Sequence, residues 1–213
     1  MPRPLTFSYS ESIDWLRDRV EQGCADRWDR EKMKLLMEAG RAFRMPWPFP
    51  VPEAGVDLEE YVDELDTWIP PFYLILMQAG HSALGYFEGG ELVFHKTIKK
   101  YMVRRKHGKA QIGHLSTRGK SKAGSRIRLA NTVQFFEDIN AKLEEWALED
   151  EVSRILYSCP VRMLPLWFGS KVKPPFARED ERLRKVPVDI HRPGLEELER
   201  VAAVVMRGYL LEE

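Results

Sequence analysis

The chain has 213 residues, 44% of them hydrophobic and 11% aromatic, enough for one buried core of about 140 residues plus an appendage. Its 33 basic and 33 acidic residues cancel, yet twelve of the basic ones fall between Glu91 and Glu137, a span without a single acid, which leaves 21 basic against 33 acidic elsewhere. Apolar runs such as Tyr73 to Met77 fall far short of the roughly 18 to 20 residues of a membrane span, and two distant cysteines, Cys24 and Cys159, exclude a disulfide framework or a Cys-based zinc site.

The opening MPRPLTFSYSE lacks the apolar centre of a signal peptide, so a cytoplasmic protein with buried, reduced thiols is expected. Ile13, Leu16 and Val20 keep helical spacing behind a serine cap and predict a helix from Ser10 to Glu21, closed by Gly23. Met33, Leu36, Met37 and Phe43 form a stripe that predicts a second helix from Asp29 to Phe43. Four prolines in residues 46–52 cannot continue a helix and read as a stiff connector, the best internal boundary. A short amphipathic segment from Asp57 to Leu65 leads to Phe72, where the pattern changes to strands: FYLILMQAG, SALGYFEGG and ELVFHKTI. Gly89-Gly90 predicts a tight hairpin turn between the last two. From Ser125 to Leu148, Leu129, Val133, Phe136, Ile139, Leu143 and Trp146 recur at steps of three or four, the strongest helical signal in the chain. The apolar run RILYSC that follows predicts a buried strand returning to the same sheet by a crossover. Residues 160–192 read as irregular, and Arg192-Pro193 opens a last helix from Gly194 to Leu211. The expected class is α/β (α+β), a mixed sheet with packed helices over residues 72–213, preceded by a helical N-terminal extension over residues 1–71.

The acid-free span carries Lys96, Lys99, Lys100, Arg104, Arg105, Lys106 and Lys109, then Arg118, Lys120, Lys122, Arg126 and Arg128. Such residues are commonly a solvated face, but a glycine-punctuated block poor in large apolar side chains and free of acids points to a polyanion, and to phosphate contacts above all. Tyr101 either stacks on a base or sits half-buried in the sheet. His95, His107 and His114 are spaced by 12 and 7 residues with no Cys or acid near them, which matches no zinc pattern, so neither metal nor cofactor is expected.

HKTIKKYMVRRKHGKAQ, followed by SKAGSRIRLANTVQFFEDI, resembles the Vms-like release factor family. The features that carry the likeness are His95-Lys96-Thr97, Tyr101 with Val103-Arg104, Gly108 to Gln111, and Ala123-Gly124 with Ile127-Arg128. Gly80-His81, Phe168-Gly169, the run from Asp180 to Pro187 and Arg192-Pro193 extend it over about residues 72 to 205. The resemblance implies a domain similar to the ribonuclease-H-like middle domain of eukaryotic and archaeal release factors, in which a Gly-Gly-Gln loop enters the peptidyl-transferase centre. Here that stretch is Gly108-Lys109-Ala110-Gln111, with Ala110 in place of the second glycine. Gly108, Gly113 and Gly124 would give the loop its hinges. The implied activity is peptidyl-tRNA hydrolysis on stalled or split ribosomes. Gln111 would be the catalytic residue, since its neutral amide both donates and accepts while an activated ester needs only a placed water and a stabilised oxyanion. The implied partners are the large ribosomal subunit and peptidyl-tRNA, with no membrane and a monomeric chain. Two alternatives remain open: cleavage of the tRNA near its 3′ CCA end, and a non-enzymatic ribosome- or RNA-binding module.

Overall fold

The computed structural model describes residues 4–23, 26–100, 120–147 and 152–212. Strand β1 (Leu5–Phe7) runs into helix α1 (Tyr9–Glu21), which starts at a capping box. The Ser8 hydroxyl accepts the Glu11 N–H at 3.2 Å and the Glu11 carboxylate accepts the Ser8 N–H at 2.7 Å. Tyr9, Ser12, Ile13 and Leu16 line the buried face of this helix.

The second helix expected from Asp29 to Phe43 does not form. Strands β2 (Arg27–Asp29), β3 (Lys34–Leu36) and β4 (Arg41–Arg44) occupy the region as an antiparallel meander. Two tight turns interrupt any helix there: Asp29 accepts the Lys32 N–H at 3.0 Å, and Met33, Ala39 and Gly40 all have positive φ. Met33 and Leu35, and then Phe43 and Met45, alternate into the core, with only the small Ala42 also buried between them, whereas Leu36 and Met37 of the supposed stripe are only half-buried. Period two therefore outweighs the period-3.6 match. The N-terminal region is thus helix plus sheet rather than helical.

The proline segment is packed rather than a free spacer. Trp47 and Phe49 are buried, and Arg154, itself without solvent exposure, donates from Nε to the Phe49 carbonyl and from Nη2 to the Pro50 carbonyl at 2.8 Å. Burial pulls the Arg154 guanidinium down to about 10. Helix α2 (Leu58–Asp63) follows, its N-terminus capped by Asp57, which accepts the Glu60 N–H at 2.9 Å.

Strands β5 (Phe72–Gln78), β6 (His81–Glu88) and β7 (Glu91–Lys99) form the expected meander. Gly80 (φ +80°) turns the first hairpin, and Gly89 and Gly90 (φ +58° and +87°) turn the second. Helix α3 (Lys120–Ala147) then crosses to β8 (Arg154–Ser158), which lies parallel to β5 as predicted, and β9 (Leu183–Lys185) adds in parallel beyond it. The strand order is β7-β6-β5-β8-β9. Between β8 and β9 lies a short helix α4 (Leu164–Phe168). Helix α5 (Leu195–Val205) ends six residues before the expected Leu211, and β10 (Gly208–Glu212) completes the first sheet, whose order is β1-β10-β4-β3-β2. At Gly208 the chain passes so close to Phe43 that a Cβ would lie 2.7 Å from its ring. This close packing and the pairing with both β1 and β4 make a strand where the sequence suggested a continuing helix.

The strict alternation of β5 places Tyr73, Ile75 and Met77 on one face, against Phe135, Phe136, Ile139, Leu143 and Trp146 of α3. Phe72, Leu74 and Leu76 face the other way, against Leu198, Val201, Ala202 and Val205 of α5. The second sheet is therefore the middle layer of a three-layer stack. Val133, expected on the inner stripe of α3, is 42% exposed, and Phe135 takes the core position instead. Each large apolar side chain so buried contributes about 1.5–3 kcal/mol. A third apolar cluster, built from α1, α2 and the first sheet, includes Ile13, Leu16, Leu35, Phe43 and Tyr61.

Candidate functional site

The acid-free span is carried by two described elements. β7 delivers the chain to it as an edge strand, and α3 receives the chain again at Lys120. On β7 the register pairs Lys96 with Leu84 and Phe94 with Tyr86, and Leu84, Tyr86, Phe94 and Ile98 all belong to the core under α3. Lys96 therefore stands on the α3 side of the sheet, and it is exposed. His95 and Lys99 are exposed on the opposite side. Lysines on an edge strand also have a plain structural use, since they discourage pairing with another chain.

Lys100 is held at both ends. Its N–H donates to the Gly80 carbonyl at 2.9 Å, and its Nζ lies 2.9 Å from a carboxylate oxygen of Asp138 on α3. This ion pair, between side chains that are 24% and 37% exposed, ties the exit of the edge strand to the helix. Spacing does not reveal the partnership, because Asp138 lies 38 positions further along and meets Lys100 only once α3 has packed on the sheet. One of the twelve cations is thereby already neutralised, which lowers its availability for phosphate.

Lys120, Lys122, Arg126 and Arg128, with Gly124, fall on the first turns of α3, which starts five residues ahead of the expected Ser125. The expected catalytic residue Gln111 lies outside the described residues. So do Tyr101, Arg104, Arg105, Lys106, Gly108, Lys109, Gly113 and Arg118, together with His107 and His114. Among the described residues, no group of three or more His, Cys, Asp or Glu is gathered as a metal site would require.

Further along α3, a buried polar clamp ties the helix to the rest of the domain. Asn140, fully buried on α3, donates to the carbonyls of Trp167 (3.2 Å) and Val172 (2.8 Å) and accepts the Trp167 indole N–H at 2.7 Å. An amide that uses three of its sites inside the core fixes the rotation and height of α3 against α4. The family-like motifs also have structural duties. Asp180 and Arg182 form a two-pronged pair at 3.1 and 2.8 Å at the entry to β9, and Asp180 accepts the Arg182 N–H at 2.9 Å. Arg182 thereby holds the Asp180 carboxyl below its usual range. Gly169 ends α4 where a Cβ would lie 2.5 Å from the Pro165 carbonyl oxygen. Cys159 is buried, and burial pushes its thiol up to about 12, the opposite of what a nucleophile needs. No described helix is long and apolar enough to cross a membrane.

Against known proteins, residues 72–212 match the family described as Bacteroidetes VLRF1 release factor. The chain is 33% identical over 159 residues to a Mus musculus protein named tRNA endonuclease ANKZF1, a match covering 72% of this chain and 21% of that one. The Homo sapiens protein of the same name is 35% identical over 145 residues, 66% of this chain and 20% of its own length. The Caenorhabditis elegans tRNA endonuclease vms-1 is 27% identical over 177 residues, 80% of this chain and 28% of that one. The matched region thus spans about a fifth to a quarter of these relatives. A solved structure titled Vms1 mitochondrial localization core aligns over 93% of this chain and 82% of its own, with a TM-score of 0.49 and 14% identity. The family match begins at the first residue of β5 and ends in β10, so it takes in the whole second sheet, its helices and the stem of the basic span. The chain belongs to the VLRF1 release factor family.

Proposed function

We propose that the protein acts on peptidyl-tRNA at the large ribosomal subunit, cutting the tRNA near its 3′ CCA end and so freeing the nascent chain. The observation that carries this reading is the acid-free basic span between β7 and α3, with Gln111 at its centre. The names of the relatives, tRNA endonucleases in mouse, human and nematode, favour cutting of the tRNA over hydrolysis of its ester. In this reading a ribose 2′-hydroxyl attacks its own 3′ phosphate and the 5′ oxygen of the next nucleotide leaves. The nucleophile's proton passes to the leaving group, and a 2′,3′-cyclic phosphate and a 5′-hydroxyl result. The Gln111 amide orients the attacking hydroxyl, and Arg104, Arg105, Lys106 and Lys109 stabilise the charge that builds on the phosphate oxygens. Lys96, Lys120, Lys122, Arg126 and Arg128 hold RNA on either side, Tyr101 stacks on a base, and Gly108 and Gly113 let the backbone approach closely. The second sheet with α3 and α5 would then correspond to the ribonuclease-H-like middle domain of release factors. Its antiparallel meander followed by two parallel strands supports that correspondence.

The second reading, ester hydrolysis by the same residue, rests on the family's description as release factors. Sequencing the tRNA released from a defined ribosome–nascent-chain complex separates the two. A shortened 3′ end supports tRNA cleavage, and an intact CCA end overturns it in favour of hydrolysis. Equal release by wild type and Gln111→Ala, with both proteins still bound to the large subunit, would sink the catalytic role of Gln111, and release no greater than without protein would leave a non-enzymatic binding module.

A further inference from the structure

A second concentration of positive charge lies far from the basic span, in a cleft of about 410 Å³ between the two sheets. Register places Lys34 opposite Arg44 and Tyr209 opposite Arg44, all on the face of the first sheet that turns away from the α1 core. The other wall is β9, the outermost strand of the second sheet, which brings Arg184 and Lys185. Lys32 stands at the rim, and buried Trp47 forms part of the lining. Among the described residues that line the cleft, five are cations and one, Glu31, is a carboxylate; Lys34 is itself engaged, and Lys32 has Asp29 at 3.2 Å.

Among the described residues, neither guanidinium group here is paired with a carboxylate. Arg44 lies with its guanidinium carbon 4.5 Å from the centre of the Tyr209 ring, and its Nε is buried without a hydrogen-bond partner among the described residues. The Nε of Arg184 is in the same condition, and the side chain's one hydrogen bond among the described residues is from Nη1 to the Leu183 carbonyl, at 3.2 Å. Below them Arg154, also cationic, is close enough to Arg184 for mutual repulsion. Packing like charges this way costs stability unless an anion offsets it. Guanidinium forks beside lysines, backed by an indole, match the phosphate groups of a nucleic acid rather than an apolar ligand. β9 and β7 are opposite edges of the five-stranded sheet, about 19 Å apart at four strand spacings. An RNA touching both would therefore contact the protein at two separated places.

We propose that this cleft binds the phosphodiester backbone of RNA as a second anchoring site, across the sheet from the basic span. The inference rests on the RNA-acting reading above, in which the RNA is either tRNA or the large subunit's ribosomal RNA. The test compares the full chain with the double variant Arg184→Gln, Lys185→Gln in two titrations, one with fluorescein-labelled deacylated tRNA and one with purified large subunits, each over a range of KCl concentrations. With whichever RNA occupies the cleft, affinity should fall roughly tenfold and the slope of log K against log salt should become shallower by about 1.5, since each phosphate contact contributes about 0.7 to 0.9. A change with tRNA alone assigns tRNA, and a change with subunits alone assigns ribosomal RNA. If circular dichroism shows the double variant unfolded, Lys185→Glu, on an exposed position, decides instead, with an expected loss of more than about threefold. Unchanged binding of both RNAs overturns the cleft while leaving the cleavage assay free to decide the reaction. Weaker binding of polyglutamate with unchanged RNA binding overturns it too and makes the cleft a dock for acidic protein. A wild-type chain that binds neither RNA overturns both readings together.

Discussion

Replacing Asn140 by Ala should be among the more damaging single changes in the second sheet's region, although it deletes no large apolar group. The substitution strands the buried Trp167 indole N–H and the Val172 carbonyl, while the Trp167 carbonyl keeps the Ser170 N–H at 3.4 Å. A buried donor or acceptor left unmet costs about 1–3 kcal/mol. With Val172 only half-buried and open to water on one side, the sum is about 3 kcal/mol. That is a large share of the roughly 5–15 kcal/mol that holds a domain folded. Urea unfolding followed by circular dichroism measures it as a lower midpoint at constant slope. Asn140→Asp sharpens the test. It keeps an acceptor for the indole but turns a carboxylate toward the two carbonyl oxygens, so its folded-state pKa should rise above the unfolded value near 3.9. The penalty is then complete at neutral pH and shrinks as pH falls through the folded pKa. A loss below about 1 kcal/mol for the alanine variant, or an aspartate variant no more stable at pH 5 than at pH 8, would refute the reasoning.

Other outcomes follow from the same geometry. Arg200 holds the Glu197 carboxyl down to about 2, helped by the His191 N–H, so this carboxylate contributes stability above the unfolded value near 4.5 that is lost as pH falls toward 2. Glu197→Gln should flatten that part of an acid-unfolding curve, and an unaltered curve would contradict the pairing. In a Cys24→Ser background, Cys159 should resist iodoacetamide at pH 8 until urea unfolds the chain, whereas rapid native-state labelling would contradict its raised pKa. Gly208→Ala forces a methyl group against Phe43 and should cost about 1–3 kcal/mol, read from the same urea titration. Asp138→Asn removes a partly exposed ion pair and should change stability by less than about 1 kcal/mol. Its effect should appear instead in RNA binding, because Lys100 is released to meet phosphate.

The second sheet was legible because its signals were local and agreed with one another. The alternation in FYLILM, the glycine pairs and the long helical repeat before RILYSC led directly to a meander, a helix and a parallel return. The first sheet was not, because its strands are three to five residues long and its decisive pairings are distant. In a window as short as residues 33–37 the two periods compete, and only the burial of Leu35 rather than Leu36 separates them. Nor could VVMRGYLLE announce itself as helix end and strand, since Gly208 is required by Phe43, a residue from the other end of the chain. The basic span was visible as composition, and its two supporting elements were anticipated, the helix with a start five residues too late. Its anchors, Asp138 for Lys100 and Asn140 for Trp167, arise from tertiary contacts that no spacing rule encodes.

The position of β10 bears on how the molecule comes into being. In the first sheet it lies between β1 and β4, and among the described residues it is the strand that β1 pairs with. During synthesis β1, α1 and the β2–β4 meander emerge early, yet the sheet they belong to stays open until Gly208–Glu212 has left the exit tunnel. Such pairing joins segments very distant in sequence, and long loops are entropically slow to close. Until β10 is made, β1 therefore lacks its pairing partner in the first sheet, and a nascent chain that stalled just short of β10 would hold that strand unpaired.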